Sequence, residues 1–343
     1  MEKAIIIGSL KDLTYQEINE NEPPLKDSNY TVEYIQQVKA FTLWKLLKEV
    51  LAKACVLQQE EKVGKKNLWV YVKRLNYDTG EKEIIIREHY KLLESLGEGE
   101  FSETYLVRDI DLPDNHKCVI KRLKSETPEL TKRFENEAQG LYKLGKYDKI
   151  PQLLARFQKD GYFYLVYEYI IGNTLKEELK GECWQESQVI VLIKEMLAIL
   201  VFLQEKKIIH RDINPDNIIR RKLDNKFILT NFWFVKEVNL DSDTKTFKPM
   251  NPYMSIEVIR GRPNFSSDIY ALGILAIQAF TGKNPNEFTI DPNTLNIIWR
   301  NQAKVSSQLA DFIDKIVCNY VPDRYPSAAE ALQALQKLDH SLL

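Results

Sequence analysis

His210-Arg211-Asp212-Ile213-Asn214-Pro215-Asp216-Asn217 follows an apolar run of helical spacing and precedes the strand-like Phe227-Ile228-Leu229. Toward the N-terminus, Glu137 stands in the helical segment Phe134-Glu135-Asn136-Glu137-Ala138, and Lys121 ends the strand-like Val119-Ile120-Lys121. Leu96-Gly97-Glu98-Gly99-Glu100-Phe101-Ser102 sits between two strand-like runs. Glycines there let a hairpin backbone close down over phosphates, while a Lys and a Glu on adjacent elements form a pair that aims an ammonium at phosphate oxygens. Toward the C-terminus come Ser267-Asp268-Ile269-Tyr270-Ala271-Leu272-Gly273 and Asp323-Arg324-Tyr325-Pro326-Ser327. Short strands dominate from Tyr90 to Tyr169 and helical periodicity from there to Leu338, which predicts two lobes of α+β type.

With 343 residues, 44% hydrophobic and 28% charged, the chain is long enough for a packed core in one large or two modest domains. Lys plus Arg number 48 and Asp plus Glu 49, so no bulk charge points to nucleic acid or to an anionic membrane. The early apolar run Ala4 to Ile7 is too short for a signal peptide, and no stretch reaches the ~20 residues of a membrane helix, which predicts a cytoplasmic protein. Cys55, Cys118, Cys183 and Cys318 are scattered without metal or redox spacing and are expected to be buried, reduced thiols. Residues 1–30 read as a flexible segment. Ile35, Val38, Leu43, Leu46, Leu47, Val50, Leu51 and Ala54 predict a long amphipathic helix, and Leu68–Val72 with Glu83–Ile86 predict a hairpin about Asp78-Thr79-Gly80. This accessory helix and β-hairpin, residues 31–87, is expected to pack on the neighbouring domain; a winged-helix-like reader is the alternative.

The ordered motifs resemble the protein-kinase family, in style the eukaryotic-like Ser/Thr kinases of cyanobacteria, over about residues 88–339. The resemblance implies a bilobal fold, with a small lobe over about 88–170 and a large lobe over about 171–339. It implies that Gly97 and Gly99 cover the phosphates of ATP, that Lys121 pairs those phosphates and Glu137, and that Val119 and Ile219 sandwich the adenine. The hinge becomes Glu168, Tyr169 and Ile170, after a bulky Tyr167. Asp212 would accept the substrate hydroxyl proton and Asn217 would hold a metal. Glu257 and Arg324 match a buried ion pair of the large lobe, and His210 is structural, packed with Leu141 and Phe232 and tied to Asp268.

Three departures surround Asp212. Where the family has D-F-G the chain reads Asn231-Phe232-Trp233, which puts a neutral amide in the place of the main Mg²⁺ carboxylate and an indole in the place of a glycine. Metal stabilisation of phosphoryl charge is worth several kcal/mol, on the order of a thousandfold in rate. Asn214 replaces the Lys that neutralises the transferred group. In Pro249-Met250-Asn251-Pro252-Tyr253-Met254-Ser255-Ile256-Glu257, Met250 aligns with the Thr whose hydroxyl reaches the catalytic Asp. Ser102 for a third glycine is a mild change, and Glu98, Glu100 and Glu103 read as solvated charge that would also repel a triphosphate.

The expectation is a degenerate kinase with impaired phosphotransfer, acting as a regulatory or scaffolding module with protein partners. ATP binding is expected to be weak and little strengthened by Mg²⁺. The alternative is an active Ser/Thr kinase with atypical metal use, favoured by Lys121, Glu137, Asp212 and Asn217. A nucleic-acid regulator acting through residues 31–87 would need a basic face that the sequence does not display. Thr244 and Thr246 fall where Arg211 would meet a phosphate.

Overall fold

The computed structural model describes residues 84–124, 127–237, 250–294 and 296–341. The accessory helix at 31–59, the strand at Leu68–Val72, Cys55, Thr244 and Thr246 lie outside the described residues.

The first lobe is one antiparallel sheet of six strands in the order β1-β2-β3-β4-β6-β5: β1 Ile85–Ile86, β2 Tyr90–Glu98, β3 Ser102–Asp109, β4 Lys117–Leu123, β5 Leu153–Lys159 and β6 Tyr162–Glu168. Its β1 pairs with Tyr90 and Lys91 through a turn in which Arg87 and Glu88 both have positive φ. The sheet therefore starts at Ile85, within the stretch assigned from sequence to the accessory hairpin. One face packs Tyr90, Val107, Cys118, Ile120, Tyr164 and Val166 together. The other receives helix α1, Pro128–Leu144, which Thr127 caps through the Leu130 N–H and Pro128 starts. Buried Phe134, Glu137, Ala138, Leu141 and Leu144 recur at helical spacing along α1. A carboxylate thus occupies a core position, 1% exposed, which is tolerable only with a partner of opposite charge.

Past Ile170 come β7 Gly172–Thr174, α2 Leu175–Glu178, α3 Glu186–Glu205, β8 Ile208–Ile209, β9 Ile218–Arg221, β10 Phe227–Leu229 and β11 Lys236–Glu237. They are followed by α4 Ile256–Ile259, α5 Phe265–Thr281, β12 Thr289–Ile290, β13 Ile297–Ile298, α6 Ser307–Ile316 and α7 Ala328–Ser341. A ladder β10-β9-β7 and the pair β11-β8 frame the loop at 210–217. Helices α3 and α5 are apolar nearly all round, with Leu192, Ile193, Met196, Leu272, Leu275 and Ile277 at 0% exposure, and form the centre of this lobe. The α+β, bilobal, kinase-like fold is therefore observed. No helix among the described residues is long and apolar enough to cross a membrane. Of the described cysteines only Cys118 is buried; Cys183 is exposed and Cys318 intermediate, so the expectation of buried thiols fails at Cys183, on an exposed loop ahead of α3.

Glu257 of α4 and Arg324 meet as the sequence implied. Arg324 Nη1 donates to Glu257 Oε1 at 2.6 Å, and Ser267 Oγ donates to the same oxygen at 2.8 Å. Burial pushes this carboxyl up, but the hydrogen bonds from Arg324 outweigh it and leave it below its usual value. A folded-state pKa below the unfolded one gives stability that is present above about pH 4.5 and lost as pH falls through the folded value. Glu257→Gln should cost about 3–5 kcal/mol at neutral pH by stranding a buried guanidinium. The gap to the natural chain should narrow on acid titration below pH 4.5, as followed by thermal melting. Gly273 shows why α5 needs a glycine: a Cβ there would lie 2.4 Å from Ile316 Cγ2 and 2.5 Å from Val317 Cγ1. Gly273→Ala should destabilise by about 1–3 kcal/mol, read as a melting temperature lower by roughly 3–10 °C.

Candidate active site

The site is assembled on a loop that α5 holds. Asp268, in the first turn of α5 and 4% exposed, accepts the backbone N–H groups of His210 and Arg211, each at 2.7 Å. This clamp accompanies a positive φ at Arg211, 66°. His210 is fully buried, with Nδ1 accepting the Asp212 N–H at 3.2 Å and Nε2 lying 3.1 Å from the Thr230 carbonyl. A ring nitrogen that accepts an N–H carries no proton, so the proton sits on Nε2 and is given to Thr230. The imidazole stands edge-on to Phe232 at 4.8 Å. It is structural, as the resemblance implied. Burial pulls the Arg211 guanidinium down to about 10, with Arg133 adding to the effect and Asp268 and Asp212 opposing it.

Lys121 of β4 meets Glu137 of α1 with both oxygens, at 2.8 and 3.0 Å, and Asn231 Oδ1 lies 3.3 Å from the same ammonium. Three protein acceptors thus match the three N–H donors of a lysine. Burial pushes the Tyr167 phenol well above its usual value, the Glu137 carboxylate adding to it.

Asp212 is ringed by amides. Its Oδ1 accepts Asn214 Nδ2 at 3.0 Å and Asn251 Nδ2 at 3.1 Å; its Oδ2 accepts Asn217 Nδ2 at 2.8 Å, with Asn231 Nδ2 at 3.5 Å. A carboxylate offers about four lone-pair sites, so four donors leave little capacity for a substrate proton. The amide oxygens are used as well: Asn214 Oδ1 accepts the Asp216 N–H, Asn251 Oδ1 the Tyr253 N–H, and Asn217 Oδ1 accepts Asn231 Nδ2 at 3.0 Å. Mg²⁺ seeks several oxygen ligands, carboxylates foremost. The two positions that would face it, Asn217 and Asn231, are neutral and turned toward each other, so these residues do not fit a divalent metal.

Met250, placed by the sequence where a Thr would reach the catalytic Asp, is 78% exposed, and the side chain of its segment that hydrogen-bonds Asp212 is the adjacent Asn251, just ahead of the turn at Pro252 and Tyr253. Asn251 is the site residue that sequence reading missed; its signal was a fourth asparagine beside positions 214, 217 and 231.

The glycine turn is closed by Gly99 N–H donating to the Ser102 carbonyl at 2.8 Å, while Gly97 pairs with Thr104 across β2 and β3. Glu98 and Glu103, expected to be merely solvated, pair with Lys124 at 2.6 Å and with Arg122 Nε at 2.9 Å. Trp233, 6% exposed, stacks on Phe101 of this turn, meets Phe134 of α1 edge-on and lies 4.8 Å from the Lys121 ammonium. Its Nε1 is buried without a hydrogen-bond partner, so ring contacts hold the indole at the expense of its N–H. At the lobe junction, Glu168 donates its N–H to the Gln152 carbonyl at 2.9 Å; Ile170 is 7% exposed, and Val119 and Ile219 are half-buried.

Asp212→Asn should expose the structural load on this carboxylate. One oxygen becomes a donor facing donors, at a cost of about 3 kcal/mol, and the melting temperature should fall by roughly 6–12 °C. An unchanged melting curve would remove the saturated-carboxylate account.

A family model described as protein kinase domain matches residues 90–336. A second, described as the vWA-MoxR associated protein N-terminal HTH, matches residues 1–75. Serine/threonine-protein kinase C of Synechocystis sp. is 42% identical over 269 residues, 74% of this chain and 50% of its own length. Serine/threonine-protein kinase PknA of Nostoc sp. is 38% identical over 270 residues, 74% and 48% respectively. The chain spans about half the length of these curated relatives.

Proposed function

The chain belongs to the protein kinase family, among relatives that are Ser/Thr kinases, and from that premise we propose that it is a pseudokinase, a regulatory or scaffolding module without efficient phosphotransfer. The observation that carries this reading is the donation of Asn231 Nδ2 to Asn217 Oδ1 at 3.0 Å. An aspartate at position 231 would have no N–H to give and would need a cation between the two groups; the asparagine satisfies the pair without one. Phosphoryl transfer relies on positioned charge, and here the general-base position is also occupied by amide donors. ATP binding is weak in this reading, and Mg²⁺ adds little to it. Residues 1–75, matched by the helix-turn-helix model, serve as the docking segment for a protein partner, and the protein works in the cytoplasm.

The intact Lys121–Glu137 pair, at 2.8 Å, favours the second reading, an active Ser/Thr kinase with atypical metal use.

Radiolabel transfer from ATP to the chain itself and to a basic substrate separates the two. No transfer is expected above an Asp212→Asn blank assayed below its own melting temperature. Turnover in the ordinary range of roughly 1–100 per second, lost in that blank, would establish the active kinase. Asn231→Asp should leave transfer negligible, since Asn214 and Asn251 remain. It should nevertheless create a melting temperature that rises with Mg²⁺, because two carboxylates then share a site where Asp212 Oδ2 and the position-231 side chain are 3.5 Å apart. The natural chain should show no such rise.

A further inference from the structure

The start of the sheet carries a polar cluster that the cleft does not use. His89 stands in the turn between β1 and β2, directly after Arg87 and Glu88, both of positive φ. Its neighbour Tyr90 pairs in register with Asp109, the last residue of β3, and Asp111 follows two residues on. Backbone hydrogen bonds fix these segments: Ile110 donates its N–H to the His89 carbonyl at 2.9 Å, and Asp109 donates its N–H to the His116 carbonyl at 2.8 Å. A ring nitrogen of His89 and one carboxylate oxygen from each of Asp109 and Asp111 lie within 4.8 Å of one another. Among the described residues, no other three such side chains converge in this way.

Asp109 is the member whose charge is unanswered. It is 9% exposed, and among the described residues no Lys or Arg forms an ion pair with it. Its carboxylate accepts the Asp111 N–H on Oδ1 at 3.1 Å. A buried carboxylate without a cation is unfavourable, and this one acts on its surroundings. Burial pushes the Cys118 thiol up to about 11, with Asp109 adding to the rise, and the Tyr90 phenol is raised by the same two causes. The nearby Arg87 guanidinium lies over the Phe157 ring, 4.9 Å from its centroid. His89 Nδ1 sits against Asp111, 3.0 Å from Oδ2. That spacing is also the one expected of two ligands about 2.1 Å from a shared ion and roughly at right angles. A dication among the three groups supplies the charge that Asp109 lacks.

We propose that His89, Asp109 and Asp111 bind one divalent transition-metal ion of the Zn²⁺ class, which staples the β1–β2 turn to the end of β3. An imidazole beside two carboxylates suits Zn²⁺ better than Mg²⁺, which takes oxygen ligands in a near-ideal octahedron. The side chains of His89 and Asp111 are 28% and 67% exposed, so the ion enters from solvent and water completes its shell. Exposed Asp111 also has the freedom to close on the ion while buried Asp109 stays fixed. None of the three residues takes part in the Asp212 network, and the proposal does not depend on whether the chain transfers phosphate.

The test is calorimetric titration of the full chain, first stripped with a chelator, with Zn²⁺ and separately with Mg²⁺. The natural protein is compared with His89→Gln, Asp109→Asn and Cys183→Ser, the last removing an exposed thiol that competes for zinc. The natural chain and Cys183→Ser are expected to bind Zn²⁺ at a site that is at least roughly tenfold weaker in the other two variants. At a hundredfold excess over Kd, Zn²⁺ should raise the melting temperature by roughly 5–10 °C, and Mg²⁺ at the same concentration should not. His89→Gln, on a partly exposed turn, carries the test alone if Asp109→Asn does not fold. No Zn²⁺ binding by the natural chain overturns the proposal. So does binding that His89→Gln leaves unchanged or that Cys183→Ser abolishes, and so does Mg²⁺ binding as tightly as Zn²⁺ at these residues.

Discussion

Two backbone N–H groups on one buried carboxylate, those of His210 and Arg211 on Asp268, set the position of everything that follows. The clamp joins the loop to the first turn of α5, where a negative charge is favoured by the helix dipole. With the loop fixed, the Asp212 N–H reaches His210 Nδ1, the imidazole reaches Thr230, and Phe232 has a ring to pack on. Asn217 then falls beneath the Asp212 carboxylate. Without the clamp, a left-handed Arg211 would be an uncompensated strain.

From that base a polar chain of hydrogen bonds runs Glu137, Lys121, Asn231, Asn217 and Asp212, where it branches to Asn214 and to Asn251. Its charges are one cation and two carboxylates. In a family where this region handles a polyanion and metal ions, four amides stand at or beside positions that would carry charge. An amide is both donor and acceptor, so it can close a network on itself; a carboxylate or an ammonium must be answered from outside. Buried polar networks are favourable only when every member is satisfied, and this one meets that condition internally.

Much of this was legible in the sequence because it depends on fixed spacing. Lys121 with Glu137, Glu257 with Arg324, and His210 beside Phe232 are set by the register of strands and helices, and they meet as the motifs implied. Side-chain direction in irregular segments was not legible. Met250 and Asn251 are adjacent, yet the first is exposed and the second hydrogen-bonds Asp212, in an irregular stretch where no periodicity sets direction. The stack of Trp233 on Phe101 joins residues 132 positions apart through χ angles that no periodicity encodes. Glu103 found its partner because β3 and β4 set it directly opposite Arg122, and Glu98 found Lys124, just past the end of β4, pairings that follow from a strand register the sequence does not display.

The matched donors and acceptors around Asp212 also bear on what the molecule can sense. A ligand moves a conformational equilibrium only by its difference in affinity between the states, and a network already closed by its own side chains offers a phosphate or a dication little difference to exploit. In the proposed pseudokinase reading, the shape of this lobe junction would therefore not follow the ratio of ATP to ADP or the free Mg²⁺ of its surroundings. Such a module would hold one geometry through swings in energy supply.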